Sequence, residues 1–117
     1  MSQSKARLRS QEYATWAFAK VNELKKASKD VKELKSHIRR LPAVIQACGL
    51  AEALLFYAKK HEAIAKALAE RVAKSSNIAE CVKDLANLDA LTYRYRTREA
   101  MEMAQWLKRF AEVMLEE

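Results

Sequence analysis

The side chains that do chemistry in proteins are sparse in this sequence and poorly spaced for it. Two histidines, His37 and His61, stand far apart. No H-E-x-x-H or E-x-x-H pattern occurs, so the zinc and di-iron sites that helical proteins build on those spacings lack their ligands. Glu99 and Glu102 share a helix face, as do Glu112 and Glu116. Paired carboxylates can do acid–base work, but with Arg98 and Arg109 beside them they read as surface ion pairs. A glycine-rich phosphate loop is out of reach for a chain whose one glycine is Gly49. Ser36 precedes His37, yet neighbours on a helix point in different directions. Cys48 and Cys81 sit in apolar stretches without a C-x-x-C pattern and read as reduced core thiols of a cytoplasmic protein. The expectation is a chain with no active site of its own, no metal and no cofactor.

Two cation-rich segments remain. The far side of the second predicted helix carries Lys29, Lys32, Arg39 and Arg40. Lys and Arg at helical spacing bind phosphates without reading bases. Asp30 and Glu33 dilute this patch, so a solvated amphipathic face is the plainer reading of it. The other segment is YRYRTRE, Tyr93 to Glu99. Arg94 and Arg98 are one turn apart and project together, and with Lys108 and Arg109 they form a second candidate cluster. Guanidinium and tyrosine rings can hold a nucleic-acid strand by charge and stacking. The plainer reading packs Tyr93 and Tyr95 against neighbouring helices and pairs Arg98 with Glu102. Arg96 projects toward the apolar side, close to Glu99, as a partly buried pair or a contact with another subunit.

The whole charge excess lies at one end. The chain has 22 Lys/Arg against 15 Asp/Glu, a net +7. Residues 1–41 hold eleven basic and four acidic side chains, which is already +7. That asymmetry suits a polyanion or an acidic partner on one side.

These patches need elements to carry them, and composition fixes their kind. Half of the 117 residues are hydrophobic, while Gly and Pro occur once each. Tight β corners need those two residues, so a sandwich or barrel is excluded, and the abundant Ala, Leu, Glu, Lys and Arg favour helix. The fold class is all-α: a compact single-domain bundle of six or seven helices over residues 1–117. The first predicted helix covers about Ser4 to Ala27, with Ala14, Ala17, Phe18, Val21 and Leu24 on one face. Ser28 is the expected N-cap of the second, whose stripe is Val31, Leu34, Ile38 and Leu41. Pro42 is expected to end that helix and start a short one to Cys48. Gly49 sits where a left-handed cap belongs. Leu50 to about Ser75 follows, with a break near His61; Leu54, Leu55, Ala58, Ile64, Ala65 and Leu68 are its apolar positions. Ser75-Ser76-Asn77 is the clearest loop, with Asn77 capping a helix to Ala86 and Asp89 capping the last, Ala90 to Leu115. That helix carries Met103, Trp106, Leu107, Phe110, Val113 and Met114. Trp106, Phe110, Phe18, Leu54 and Ile38 are expected in the core. The N-terminus has no apolar signal region, and the longest uncharged stretch, Leu41 to Ala51, is too short for a membrane span, which needs about 20 residues.

Two segments resemble a known family. LPAVIQACGLAEALLFYAKK, Leu41 to Lys60, resembles the signature of the small helical subunit of the type III-B CRISPR (Cmr) effector complex: Leu41-Pro42, Ile45, Gly49-Leu50, Leu54, Phe56 and Lys59. YRYRTREAMEMAQWLKRFAE, Tyr93 to Glu112, resembles its C-terminal helix, through Tyr95-Arg96, Thr97 with Glu99, and Trp106 to Ala111. Arg9, Gln11 and Ala14 before Val21 also fit. The resemblance covers nearly the whole chain in order. It implies a non-catalytic subunit of an RNA-guided antiviral complex. Such subunits stack on copies of themselves into a short filament beside the guide-RNA backbone subunit and the large subunit, lining the groove that receives target RNA. Two other readings stand beside it: a stand-alone basic helical nucleic-acid-binding protein, and the equivalent small subunit of another CRISPR type. A four-helix-bundle enzyme lacks its ligands.

Overall fold

The computed structural model describes residues 2–73, 75 and 77–115, with side chains from residue 9 onward. Six helices follow one another: α1 Ser2–Ala27, α2 Val31–Cys48, α3 Leu50–Lys60, α4 Glu62–Ala73, α5 Ile78–Ala86 and α6 Ala90–Met114. Among the described residues there is no strand, and no helix is long and apolar enough to cross a membrane. The helix α6 packs mainly against α2 and α1, while α3, α4 and α5 pack on one another behind α2.

Caps set most boundaries. Asn77 accepts from the Glu80 N–H, and Asp89 accepts from the Thr92 N–H at 2.7 Å, as their residue types require. His61 is the single residue between α3 and α4, where the break was expected. Ser76 lies outside the described residues; its neighbours Ser75 and Asn77 are non-helical. The cap of α2 is Asp30, not Ser28: the Asp30 carboxylate accepts from the Glu33 N–H, while the Ser28 hydroxyl bonds the Asp30 backbone. A carboxylate at a helix N-terminus gains from the macrodipole as well as the hydrogen bond, which an alcohol cannot match.

Pro42 corrects a second expectation. It neither ends nor starts a helix; α2 runs through it. An interior proline costs about 3 kcal/mol. Leu34, Ile38, Leu41 and Ile45 form one continuous buried stripe through that point, each contributing about 1.5–3 kcal/mol. The stripe outweighs the defect. Gly49 closes α2 and opens α3 with φ 86 and ψ 164, a backbone region open essentially to glycine alone. A Cβ there would also lie 3.1 Å from the Tyr93 hydroxyl; φ is positive, as a left-handed cap requires, but ψ takes the residue outside the left-handed helical region.

The core draws on every helix, but its aromatic content differs from expectation. Ile38 and Leu54 are fully buried. Phe18 is 50% exposed, because the inward line of α1 is Tyr13, Ala17, Val21 and Leu24, one position to the side. On α6 the inward line is Ala100, Met103, Ala104, Leu107 and Ala111. Small alanines let α6 approach its neighbours closely and push the bulky residues to its flanks. Trp106 and Phe110 are therefore only half-buried, Val113 is exposed, and the Phe18, Phe110 and Trp106 rings make a chain of edge and stacked contacts at 5.8 and 6.0 Å. Leu55 faces solvent too. Of the two free thiols only Cys81 is buried; Cys48, in the last turn of α2, is exposed.

Candidate nucleic-acid interface

The N-terminal half of α2 presents Lys32, Lys35, Ser36, Arg39 and Arg40 at three- and four-residue steps, which is one helix face. Lys108 of α6 reaches the same place, and the six residues line a groove of about 390 Å³. The cations run from Lys32 to Arg40 on α2, about 12 Å along its axis. One tie crosses the groove edge: Arg39 Nε lies 3.4 Å from Glu112 Oε2, with both side chains about half-exposed. Such a pair contributes under about 1 kcal/mol and leaves the field positive. Among the described residues, Lys32, Lys35, Arg40 and Lys108 have no carboxylate within ion-pair distance. Five cations facing one carboxylate suit phosphates.

The eight expected residues are thus regrouped. Lys32, Arg39, Arg40 and Lys108 come together, although Lys108 was expected with Arg94 and Arg98. Lys35 was missed; its spacing of three from Lys32 and four to Arg39 was the available signal. Lys29 lies apart, at the corner between α1 and α2 with His61, Asp30 and Glu33. Arg94 and Arg98 line a second groove of about 400 Å³, floored by Ile45, Tyr93 and Met101 beside Gly49. Arg109 joins neither groove: its guanidinium lies 5.5 Å over the Trp106 ring, an attraction between charge and ring face.

The tyrosines of the YRYRTRE segment do not act alike. Tyr93 packs inward, and its hydroxyl accepts from the Ala51 N–H at 3.0 Å. Tyr95 is exposed and accepts from Arg9 Nη1 at 2.9 Å. Arg96 donates to Glu99 Oε1 at 3.2 Å, the expected pair. The partner sequence could not name is Tyr13 of α1, whose hydroxyl donates to Glu99 Oε2 at 3.0 Å. Burial, then the bond to Glu99, pushes Tyr13 up to about 12. Arg98 and Glu102 form no ion pair among the described residues. Glu112 turns to Arg39 rather than Arg109; Glu116 lies outside the described residues.

The two histidines, distant in sequence, meet in space with ring centroids 5.7 Å apart. His61 Nδ1 is buried without a hydrogen-bond partner. Desolvation, then the neighbouring His37, holds the His61 imidazole below its ordinary value. Among the described residues no three His, Cys, Asp or Glu side chains gather as a metal ion would need.

Length, helix order and packing define a class, the small all-helical proteins. A crystal structure of a CRISPR-associated Cmr5 family protein from Thermus thermophilus matches with a TM-score of 0.80 at 29% identity, covering 92% of this chain and 97% of that one. The family model for the CRISPR-associated protein Cas_Cmr5 matches residues 9–114. The CRISPR system Cmr subunit Cmr5 of Thermus thermophilus is 32% identical over 114 residues, 95% of this chain and 99% of that protein. The chain belongs to the Cmr5 family. Both segments that carried the resemblance, 41–60 and 93–112, lie inside the matched span.

Proposed function

We propose that this chain is a non-catalytic structural subunit of a type III-B CRISPR RNA-guided effector complex acting in antiviral defence in the cytoplasm. Copies of it stack along the guide/target groove beside the guide-RNA backbone subunit and the large subunit. Each copy neutralises target phosphates with Lys32, Lys35, Arg39, Arg40 and Lys108. The observation that carries the reading is that groove, five cations on one face of a Cmr5-family fold. The relative named as a Cmr subunit supports the assembly. One copy offers few contacts, so the isolated protein binds RNA weakly. Copies in register raise the effective concentration of each site for the next.

The test is target-RNA affinity of the reconstituted, guide-loaded complex across a salt series. Replacing Lys32, Arg39, Arg40 and Lys108 with Gln should leave assembly intact and weaken target binding. It should also lower the salt slope by about one for each lost phosphate contact. Arg94→Gln with Arg98→Gln tests the second groove in the same assay. Unchanged affinity and slope in both sets would make these charges solvated faces and the subunit a spacer between proteins.

A further inference from the structure

A polar cavity of about 530 Å³ lies between α1, α4 and α6, lined by Tyr13, Arg71, Val72, Arg96, Glu99 and Met103. Arg71 and Arg96 come from different helices and bring two guanidiniums to one cavity wall. Each is anchored on one side only. Arg96 gives an N–H to Glu99. Arg71 lies 5.6 Å over the Tyr13 ring, with Glu12 Oε1 3.5 Å from its Nη2. A guanidinium has five N–H donors in a planar fork, so most donors of both stay uncommitted among the described residues.

The carboxylate in the wall is the opposite case. Glu99 uses one oxygen on Arg96 and the other on Tyr13. It fixes Arg96 in place and has little left to offer a ligand. The Tyr13 hydroxyl, pushed up to about 12, stays protonated across the neutral range and keeps that bond. Arg96 and Arg71 are each paired with one carboxylate, Glu99 and Glu12, so what draws an anion here is the set of unused N–H donors rather than a net positive charge. Two planar forks converging on one space favour a phosphate group, which accepts several N–H bonds at once.

We propose that this cavity binds the phosphate of a single nucleotide, with Arg71 and Arg96 as its paired donors. The volume lies within the roughly 300–1,000 Å³ of small-ligand sites, more than a bare phosphate fills. Val72 and Met103 are nearly fully buried, so the rest of the nucleotide meets a mostly polar lining. The site lies across α6 from the groove of Lys32 and Lys108 and does not depend on it. The same phosphate could arrive on an RNA strand or on a free nucleotide.

The experiment uses the isolated full chain at low ionic strength, with the arginine side-chain N–H resonances followed by NMR. The probes are inorganic phosphate, uridine 5′-monophosphate and a short uridine oligonucleotide. The Arg71 and Arg96 resonances should shift, and the monophosphate should bind more tightly than inorganic phosphate. Arg71→Gln and Arg96→Gln should each weaken monophosphate binding about tenfold, the loss of one charge-assisted bond. An oligonucleotide that outcompetes the monophosphate assigns the site to a strand; the reverse assigns it to a free nucleotide. No shift of either resonance with any probe overturns the proposal, as does unchanged affinity in both variants. The wild-type titration decides even if a variant unfolds. None of these variants touches the α2 groove, so this failure and that of the proposed function are separable.

Discussion

Along its α1 flank, α6 turns its charges inward on partners. Glu99 holds Tyr13 and Arg96 together, and Arg9 of α1 reaches across to Tyr95. Along its α2 flank, charges of one sign accumulate, and among the described residues a single exposed pair, Arg39 with Glu112, ties the helices. Both flanks are rich in Arg and Lys. What separates them is the opposing face: α1 offers a buried phenol and α2 offers more cations. A basic residue that faces an acceptor is fixed in direction and keeps only its remaining donors for a ligand; one that faces its own kind keeps its whole charge for it.

The largest effect should come from the residue under both flanks. Leu107 is fully buried in the C-terminal half of α6, and Leu107→Ala should cost about 2–5 kcal/mol in urea denaturation. Trp106→Ala should cost less than the roughly 3–5 kcal/mol of a fully packed tryptophan, because that ring is half-exposed on the flank. Equal losses would break the division between core and flank on α6.

Tyr13→Phe should come next, at about 1 kcal/mol for the lost hydrogen bond, with RNA binding by the α2 groove unchanged. A loss of groove binding would mean that the flanks are coupled through α6. A third effect is confined to mild acid. Neither flank holds a histidine, so it traces to His61, whose folded pKa lies below 6.5. Such an imidazole stabilises the fold fully above its unfolded pKa, and that stability is lost as pH falls from there toward the folded value. Unfolding in urea at about pH 7.5 and 5.5 should show the drop, and His61→Gln should shrink it. The smallest effect belongs to the α2 flank: Glu112→Gln should change stability by under about 0.5 kcal/mol and, by freeing Arg39, should strengthen RNA binding. A weaker binder would overturn the view of Glu112 as a competitor for the groove.

Most of the helices could be read from the sequence because their signals are local. Asn77 and Asp89 cap by reaching three residues ahead, Gly49 needs a backbone that only it adopts, and the expected break falls at His61. The misread places are those where packing overrides a local rule. Pro42 breaks isolated helices, but here its neighbours form a buried stripe. Apolar spacing puts Phe18 and Trp106 on the inward stripes, whereas α1 and α6 turn their smaller residues inward and let these large ones cover the edges. The candidate site was half legible. The α2 cations follow from helical spacing alone, with Lys35 recoverable from the same rule. Lys108 joining them, and Tyr13 and Arg71 meeting Arg96 and Glu99, depend on which helices become neighbours, and no spacing within one segment encodes that.

A helix with a rung missing from its ladder yields there first. In α2 that place is Pro42, which has no proton to give the Ile38 carbonyl. On one side stand Lys32 to Arg40; on the other, Ile45 and Gln46 line the groove of Arg94 and Arg98. In mechanical terms α2 is two segments on one weakened joint, with the basic groove carried by the first and a wall of the Arg94 and Arg98 groove carried by the second.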